Sequence, residues 1–181
     1  MRPSRKEEII AATIQLVAQK GVKAATVRQI TTEAGVTEGA LYRHFTSKED
    51  LCQQVYERIV AEMASAKEEL AAGPLSLRDK LREWVRLSYA HFDRYPEAFT
   101  YVLLTHHSFA EDGISTSQGR LLVQLFRKEK ITAMPPEMAL CLFSGVLLNV
   151  PRMINEGRLK GPASQYTEEV AKVIWRIFRL E

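Results

Sequence analysis

The chain has 181 residues, 46% of them hydrophobic and 26% charged, with a formal net charge of +3. It is long enough to bury a core over one large or two small domains, and nine Gly and seven Pro are too few for a strand-and-turn-rich fold. Two Cys without CxxC spacing exclude a disulfide framework and a cysteine zinc site, and the slight basic excess permits nucleic-acid binding without indicating it.

In chain order, Ser4 and Glu7 read as a capping box. Ile9, Ile10, Thr13, Leu16 and Val17 form a helical stripe behind it, and Lys20 and Gly21 close the helix. Arg2, Arg5 and Lys6 lie at its free end, either within reach of phosphates or as a solvated basic tail. The next stretch, TVRQITTEAGVTEGALYRHFTSK from Thr26 to Lys48, reads as two short helices joined by a tight turn. Thr26 and Gln29 stand at capping-box spacing, and Val27, Ile30 and Ala34 share one face. Gly35 supplies the left-handed residue that ends this helix, and Val36 turns inward. Thr37 caps a second helix pinned by Leu41 and Phe45, which leaves Glu38, Gly39, Tyr42, Arg43 and His44 facing outward. Such a helix-turn-helix, with a donor-rich and aromatic outer face, fits the DNA major groove.

The segment AGVTEGALYRHFTSKEDL resembles the signature of the TetR (tetracycline-repressor-like) family of bacterial transcriptional regulators. The small-Gly-Val turn, the Leu41-Tyr42 pair, Phe45 and the Lys48 that opens the next helix carry the resemblance. It covers about the first 50 residues; the remainder is similar in length and helical character alone. It implies a DNA-binding domain over 1–50 and a helical ligand-sensing and dimerisation domain over 51–181. It also implies DNA-contacting roles at Thr26, Arg28, Thr37, Glu38, Gly39, Ala40, Tyr42, Arg43, His44 and Lys48. The chemistry of these residues agrees. Arg43 can bond guanine O6 and N7 together, and Lys48, Tyr42 and His44 can donate to phosphate. Two positions depart from the family pattern. Thr31 stands where Ala is common, and Glu38 opens the second helix where neutral or basic residues are usual.

Ser47 and Asp50 cap a fourth helix, with Leu51, Val55, Ile59 and Met63 along it, that ends at Gly73-Pro74. A fifth follows Ser76, with Leu77, Leu81, Trp84, Val85, Leu87, Ser88 and Phe92 on its inner side. Pro96 starts a sixth. His106–Gln118 reads as a polar loop, and a seventh helix spans about Gly119–Lys130 before Pro135-Pro136. Glu137–Glu156 is apolar nearly all round, with a kink expected one turn before Pro151; such a helix must be covered on more than one face. Thr167–Leu180 closes the chain. The expected architecture is all-α, about nine helices, with the last two forming one side of a homodimer interface. Phe143, Val146, Leu147, Val150, Ile154, Val170, Ile174, Ile177 and Phe178 are its candidate residues.

The family resemblance implies a small-molecule pocket in the second half, whose occupancy alters DNA affinity by linkage. Trp84, Ser88, His91, Phe99, Val102, His106, Leu122, Phe126, Phe143 and Asn149 are candidate lining residues. They suit a small, largely apolar or aromatic effector that is not yet identified. No cofactor and no metal is expected, and no HxxxH, HExxH or CxxC spacing points to an enzyme. Cys52 and Cys141 read as two buried reduced thiols. The longest uncharged run, Met138–Pro151, is short for a bilayer span, and no signal peptide is visible, so a cytoplasmic protein is expected. The function that follows is a homodimeric, ligand-responsive transcriptional regulator, a repressor binding double-stranded DNA at a palindromic operator. The alternative is an architectural or partner-recruiting DNA-binding factor without a ligand.

Overall fold

The structure is a computed structural model that describes residues 4–109, 117–129 and 134–180. Among these residues it is all helix: α1 (Arg5–Lys20), α2 (Val27–Glu33), α3 (Glu38–Tyr42), α4 (Lys48–Ala72), α5 (Leu77–Arg94), α6 (Pro96–Phe109), α7 (Ser117–Lys128), α8 (Pro136–Asn155) and α9 (Thr167–Phe178), with a 3-10 turn (Ala163–Tyr166) before the last. Two compact units emerge. One holds the described residues up to Ile59 together with Glu97–Phe109; the other holds Val60–Pro96 and the described residues from Ser117 onward. Helix α4 contributes to both.

In the first unit the helix ends are set as the capping residues dictate. Ser4 Oγ accepts from Glu7 N–H, and Thr26 and Gln29 form a reciprocal capping box. Gly35, at φ 65°, closes α2. Val36 N–H donates to the Thr31 carbonyl at 2.9 Å and Gly35 N–H to Thr32 at 3.2 Å, the two bonds of a Schellman motif. Thr31, the unusual residue of this turn, is buried and satisfies its hydroxyl locally by donating to the Val27 and Arg28 carbonyls at 3.1 Å. Ile9, Val17, Ile30, Leu41, Phe45, Leu51 and Val55 fill the core. Tyr101 of α6 donates to the Cys52 carbonyl of α4 at 2.8 Å.

In the second unit α5 packs on α9 and α8, and α7 on α8. Trp84, Phe126, Phe143 and Phe178 pack edge-on or tilted, with ring centroids 5.4–6.4 Å apart. Asp93 of α5 accepts from the N–H groups of Ala163 and Ser164 at 2.6 and 3.0 Å, which anchors the 3-10 turn. Helix α8 runs through Pro151 to Asn155. A proline has no N–H for the carbonyl four residues back. That carbonyl, Leu147, instead accepts from the Tyr89 hydroxyl of α5 at 3.2 Å.

Three expectations are corrected. His106–Phe109 and Ser117–Gln118 are helical, so the polar segment expected as a loop over His106–Gln118 is shorter at both ends; residues 110–116 lie outside the described residues. The regular part of α3 ends at Tyr42, so Arg43 and His44 occupy the turn after it, held by His44 and Phe45 N–H to the Leu41 carbonyl. Cys141 is exposed; only Cys52 is buried. Helix α8, at 20 residues, is the one helix among those described that is long and apolar enough to cross a membrane. Yet Ala139, Leu140, Phe143, Leu147 and Pro151 are buried within its own unit.

Candidate functional site

The outer surface of α2, α3 and the turn after α3 is a set of free donors on a fixed frame. Thr26, Arg28, Thr37, Glu38, Gly39, Arg43 and His44 are exposed, and Tyr42 is 52% exposed despite its ring. Among the described residues neither Arg28 nor Arg43 pairs its guanidinium with a carboxylate, so both forks remain available to phosphate or guanine. The frame beneath is rigid. Thr37 Oγ1 accepts from Ala40 N–H at 3.2 Å, and Leu41 is fully buried.

Two of the sequence candidates stand differently from the rest. Ala40 is buried, so its methyl sets the closeness of α3 to the core and offers nothing to DNA. Lys48 is half-buried, and its ammonium donates to the Val22 carbonyl just beyond α1 at 2.6 Å. An ammonium has three protons, so this bond orients the group and leaves donors over. Near the same core, Lys6 stands 5.5 Å from the Phe45 ring centroid and Glu7 pairs with Arg58 at 2.7 Å, ties that the sequence pattern did not reveal.

The residues considered for an effector pocket do not gather in one place. Phe99, Val102 and the backbone of His106 belong to the first compact unit, and the others to the second. Trp84, Leu122, Phe126 and Phe143 are buried, and the Phe143 ring packs against those of Trp84 and Phe126. Ser88 spends its hydroxyl on the Trp84 carbonyl at 2.9 Å. Asn149 is exposed and accepts from Arg152. The side chain of His106 lies outside the described residues. His91 lines a cavity of about 250 Å3 between α5 and the C-terminal part of α4, with Lys67, Glu62 and Arg94 beside it. Lys67 escaped sequence reasoning because a lysine on a long amphipathic helix looks like a solvated one; a run of alanines around it was the faint sign of a close neighbour.

Of the candidate dimer residues, Phe143, Leu147, Val170, Ile174 and Phe178 are buried in the chain's own second unit, while Val146, Val150, Ile154 and Ile177 are half-buried. No group of three or more His, Cys, Asp or Glu among the described residues could hold a metal ion.

A short capped helix-turn-helix with an exposed Arg and Tyr face defines a DNA-binding domain on an all-helical body. Residues 9–55 match the family described as bacterial regulatory proteins, tetR family. The chain is similar to the uncharacterized HTH-type transcriptional regulator YerO of Bacillus subtilis (strain 168), 32% identical over 60% of this chain and 38% of that protein. It is also similar to the HTH-type transcriptional repressor KstR2 of Rhodococcus jostii (strain RHA1), 32% identical over 51% of this chain and 45% of that one. The chain thus spans less than half the length of these relatives. The fold of the whole chain is that of the fatty acid degradation regulator FadR from Bacillus halodurans, with a TM-score of 0.79 at 19% identity over 96% of both chains. The FadR of Bacillus subtilis, solved in complex with stearoyl-CoA, aligns with a TM-score of 0.73 at 15% identity over 93% of this chain and 96% of that one.

Proposed function

We propose that this protein is a transcriptional regulator, a repressor, that binds an inverted-repeat DNA operator as a homodimer and releases it when a small effector binds. The observation that carries the reading is the exposed, unpaired Arg28, Tyr42 and Arg43 on a helix-turn-helix whose family consists of regulatory proteins. A single such motif reads few bases, and two copies one DNA turn apart read enough. The outward apolar side of α8, only 28% of whose apolar window is buried, supports a second copy as the partner. The KstR2 relatives are named repressors, which favours repression. A cavity in the second unit favours the effector-responsive reading over a ligand-independent architectural factor.

The test is selection of randomised double-stranded DNA by the purified chain at two salt concentrations. Enrichment of an inverted repeat is expected, and Arg43→Ala should relax the preference at one or two symmetric positions, by roughly 1–3 kcal/mol each. Unselective retention that vanishes at higher salt would leave a general phosphate binder and refute the operator.

A further inference from the structure

The cavity of the second unit contains a charge that the described chain leaves unanswered. Lys67, on α4, is 2% exposed. Its ammonium donates to Gln118 Oε1 at 2.6 Å and lies 5.3 Å from the Trp84 ring centroid. Neither partner is an anion, and among the described residues no carboxylate pairs with it. Removing an ammonium from water without a counter-charge is costly, and the burial pushes this group down to about 7. On α5, across the cavity lining, the His91 Nε2 is buried and has no hydrogen-bond partner. Burial, and then the charge of Lys67, holds its imidazole below the usual range, so the ring is neutral and can carry its single proton on Nε2. Two buried groups of one cavity therefore each lack a partner: Lys67 lacks a counter-charge, and the His91 Nε2 lacks an acceptor for the proton it can carry.

The rest of the lining narrows the class. Arg94 adds a second cation and Glu62 one carboxylate, so with Lys67 protonated and His91 neutral the lining carries one net positive charge. Met63 and Leu87 supply apolar wall. One net charge matches a monoanion, whereas a phosphate dianion would bring excess negative charge beside Glu62. The volume, about 250 Å3, lies below the ~300–1,000 Å3 of pockets for drug-sized ligands, which limits the body to a single ring or a short chain. We propose that this cavity binds a small monocarboxylic acid with an apolar body, its carboxylate set between the Lys67 ammonium and the His91 Nε2 proton. This deepens the effector reading given above and rests on it for the effect on DNA alone; the site itself stands or falls by direct binding.

The experiment is calorimetric titration of the full chain with benzoate, cyclohexanecarboxylate and hexanoate, each against its neutral amide, and with inorganic phosphate. At least one acid should bind roughly 10-fold or more tighter than its amide and than phosphate, the size of a charge-assisted hydrogen bond. Lys67→Met should erase that preference, Lys67→Arg should keep it, and His91→Phe should weaken acid binding several-fold while leaving amide binding alone. Lys67→Met removes a buried unpaired charge, so it should fold at least as well as the parent, and its melting temperature reports this. Acids binding no better than amides, no binding of any acid, or a preference that survives Lys67→Met would overturn the proposal. A mobility shift on the selected operator, with and without the bound acid, separates the two readings. Tight acid binding that leaves DNA affinity unchanged keeps the site and refutes the effector role.

Discussion

Lys67 and Lys80 are equally buried, yet only Lys80 is answered by the fold. Lys80 donates to the Ala71 carbonyl at the end of α4 at 2.9 Å and stands 4.0 Å from Glu129, so a helix end and a carboxylate share its charge. Lys67 has an amide and a ring. Its folded pKa of about 7 lies below the 10.5 of an open lysine, so between these values the unfolded chain holds more protons than the native one. The penalty is fully present below pH 7, and native stability therefore rises with pH above it. Burial raises the Cys52 thiol and the Tyr89 and Tyr101 hydroxyls, which acts in the opposite sense at the alkaline end and confines the clean window to about pH 7–9. Urea unfolding should gain about 2 kcal/mol across that window, and Lys67→Met should flatten the gain; an unchanged slope in the variant would assign it to another group. Two glycines make a second contrast at this scale. A Cβ on either Gly35 or Gly39 meets nothing within 4 Å, but Gly35 alone has a positive φ, of 65°. Gly35→Ala should therefore cost roughly 1–2 kcal/mol from backbone strain, whereas Gly39→Ala, in the first turn of α3, should leave stability equal or slightly raised. Any loss of DNA affinity in Gly39→Ala would then report the approach of α3 to the groove, since the fold is unharmed.

Helices α5 and α8 show how an element compensates for a residue that breaks its own rule. Pro151 withdraws a helix hydrogen bond, and the Tyr89 hydroxyl replaces it at the Leu147 carbonyl. The two are thus energetically coupled. Tyr89→Phe should cost about 1–3 kcal/mol, because a buried carbonyl is left bare. In the Pro151→Ala background the alanine N–H fills that carbonyl, and the same change should cost about 1 kcal/mol less. Strictly additive losses in thermal unfolding would mean the tyrosine acts through packing alone. Elements of this kind also mark what the sequence could reveal. The N-terminal caps of α1, α2 and α3 and the closing turn of α2 were legible, because Ser4, Thr26, Gln29, Gly35 and Thr37 act on neighbours three or four residues away. The exposed side of α2 and α3 was legible for the same reason, since what they expose follows from what they bury. The replacement of a missing bond by a residue 58 positions distant was not legible. Neither was the end of α3 at Tyr42, where burial of Phe45 is achieved through a turn and not by further helix. The aromatic residues taken as pocket candidates were identified correctly as inward-facing, but periodicity does not distinguish a wall that meets a cavity from one that meets another ring.

At the scale of the whole molecule the open question is what covers α8. Its outward side presents Met138, Cys141 and Gly145 at three- and four-residue steps, followed by Asn149 and Arg152, which bond each other. Met138 is 53% exposed, and the helix carries a mean hydropathy of 1.4 over its apolar window. A stripe of that kind is poorly suited to water, and Gly145, with nothing within 4 Å of a Cβ placed on it, marks where a second helix could approach. The buried members of the expected interface, Phe143, Leu147 and Ile174, serve the chain's own core, so a dimer contact here must use the residues between and beyond them. Cys141 offers a direct reading because it lies within the stripe, while Cys52 is buried with its thiol raised by desolvation. In dilute protein one thiol per chain should react quickly with a disulfide reagent, and its rate should fall as concentration rises through the dimer dissociation constant measured by sedimentation. Gly145→Glu adds a charge where the lone chain has space, so it should keep the fold, yield monomers, and restore fast Cys141 labelling at every concentration. If the chain sediments as a dimer while Cys141 remains equally reactive throughout, the two copies meet elsewhere. The spacing of the two DNA-reading heads would then have to be derived from a different face.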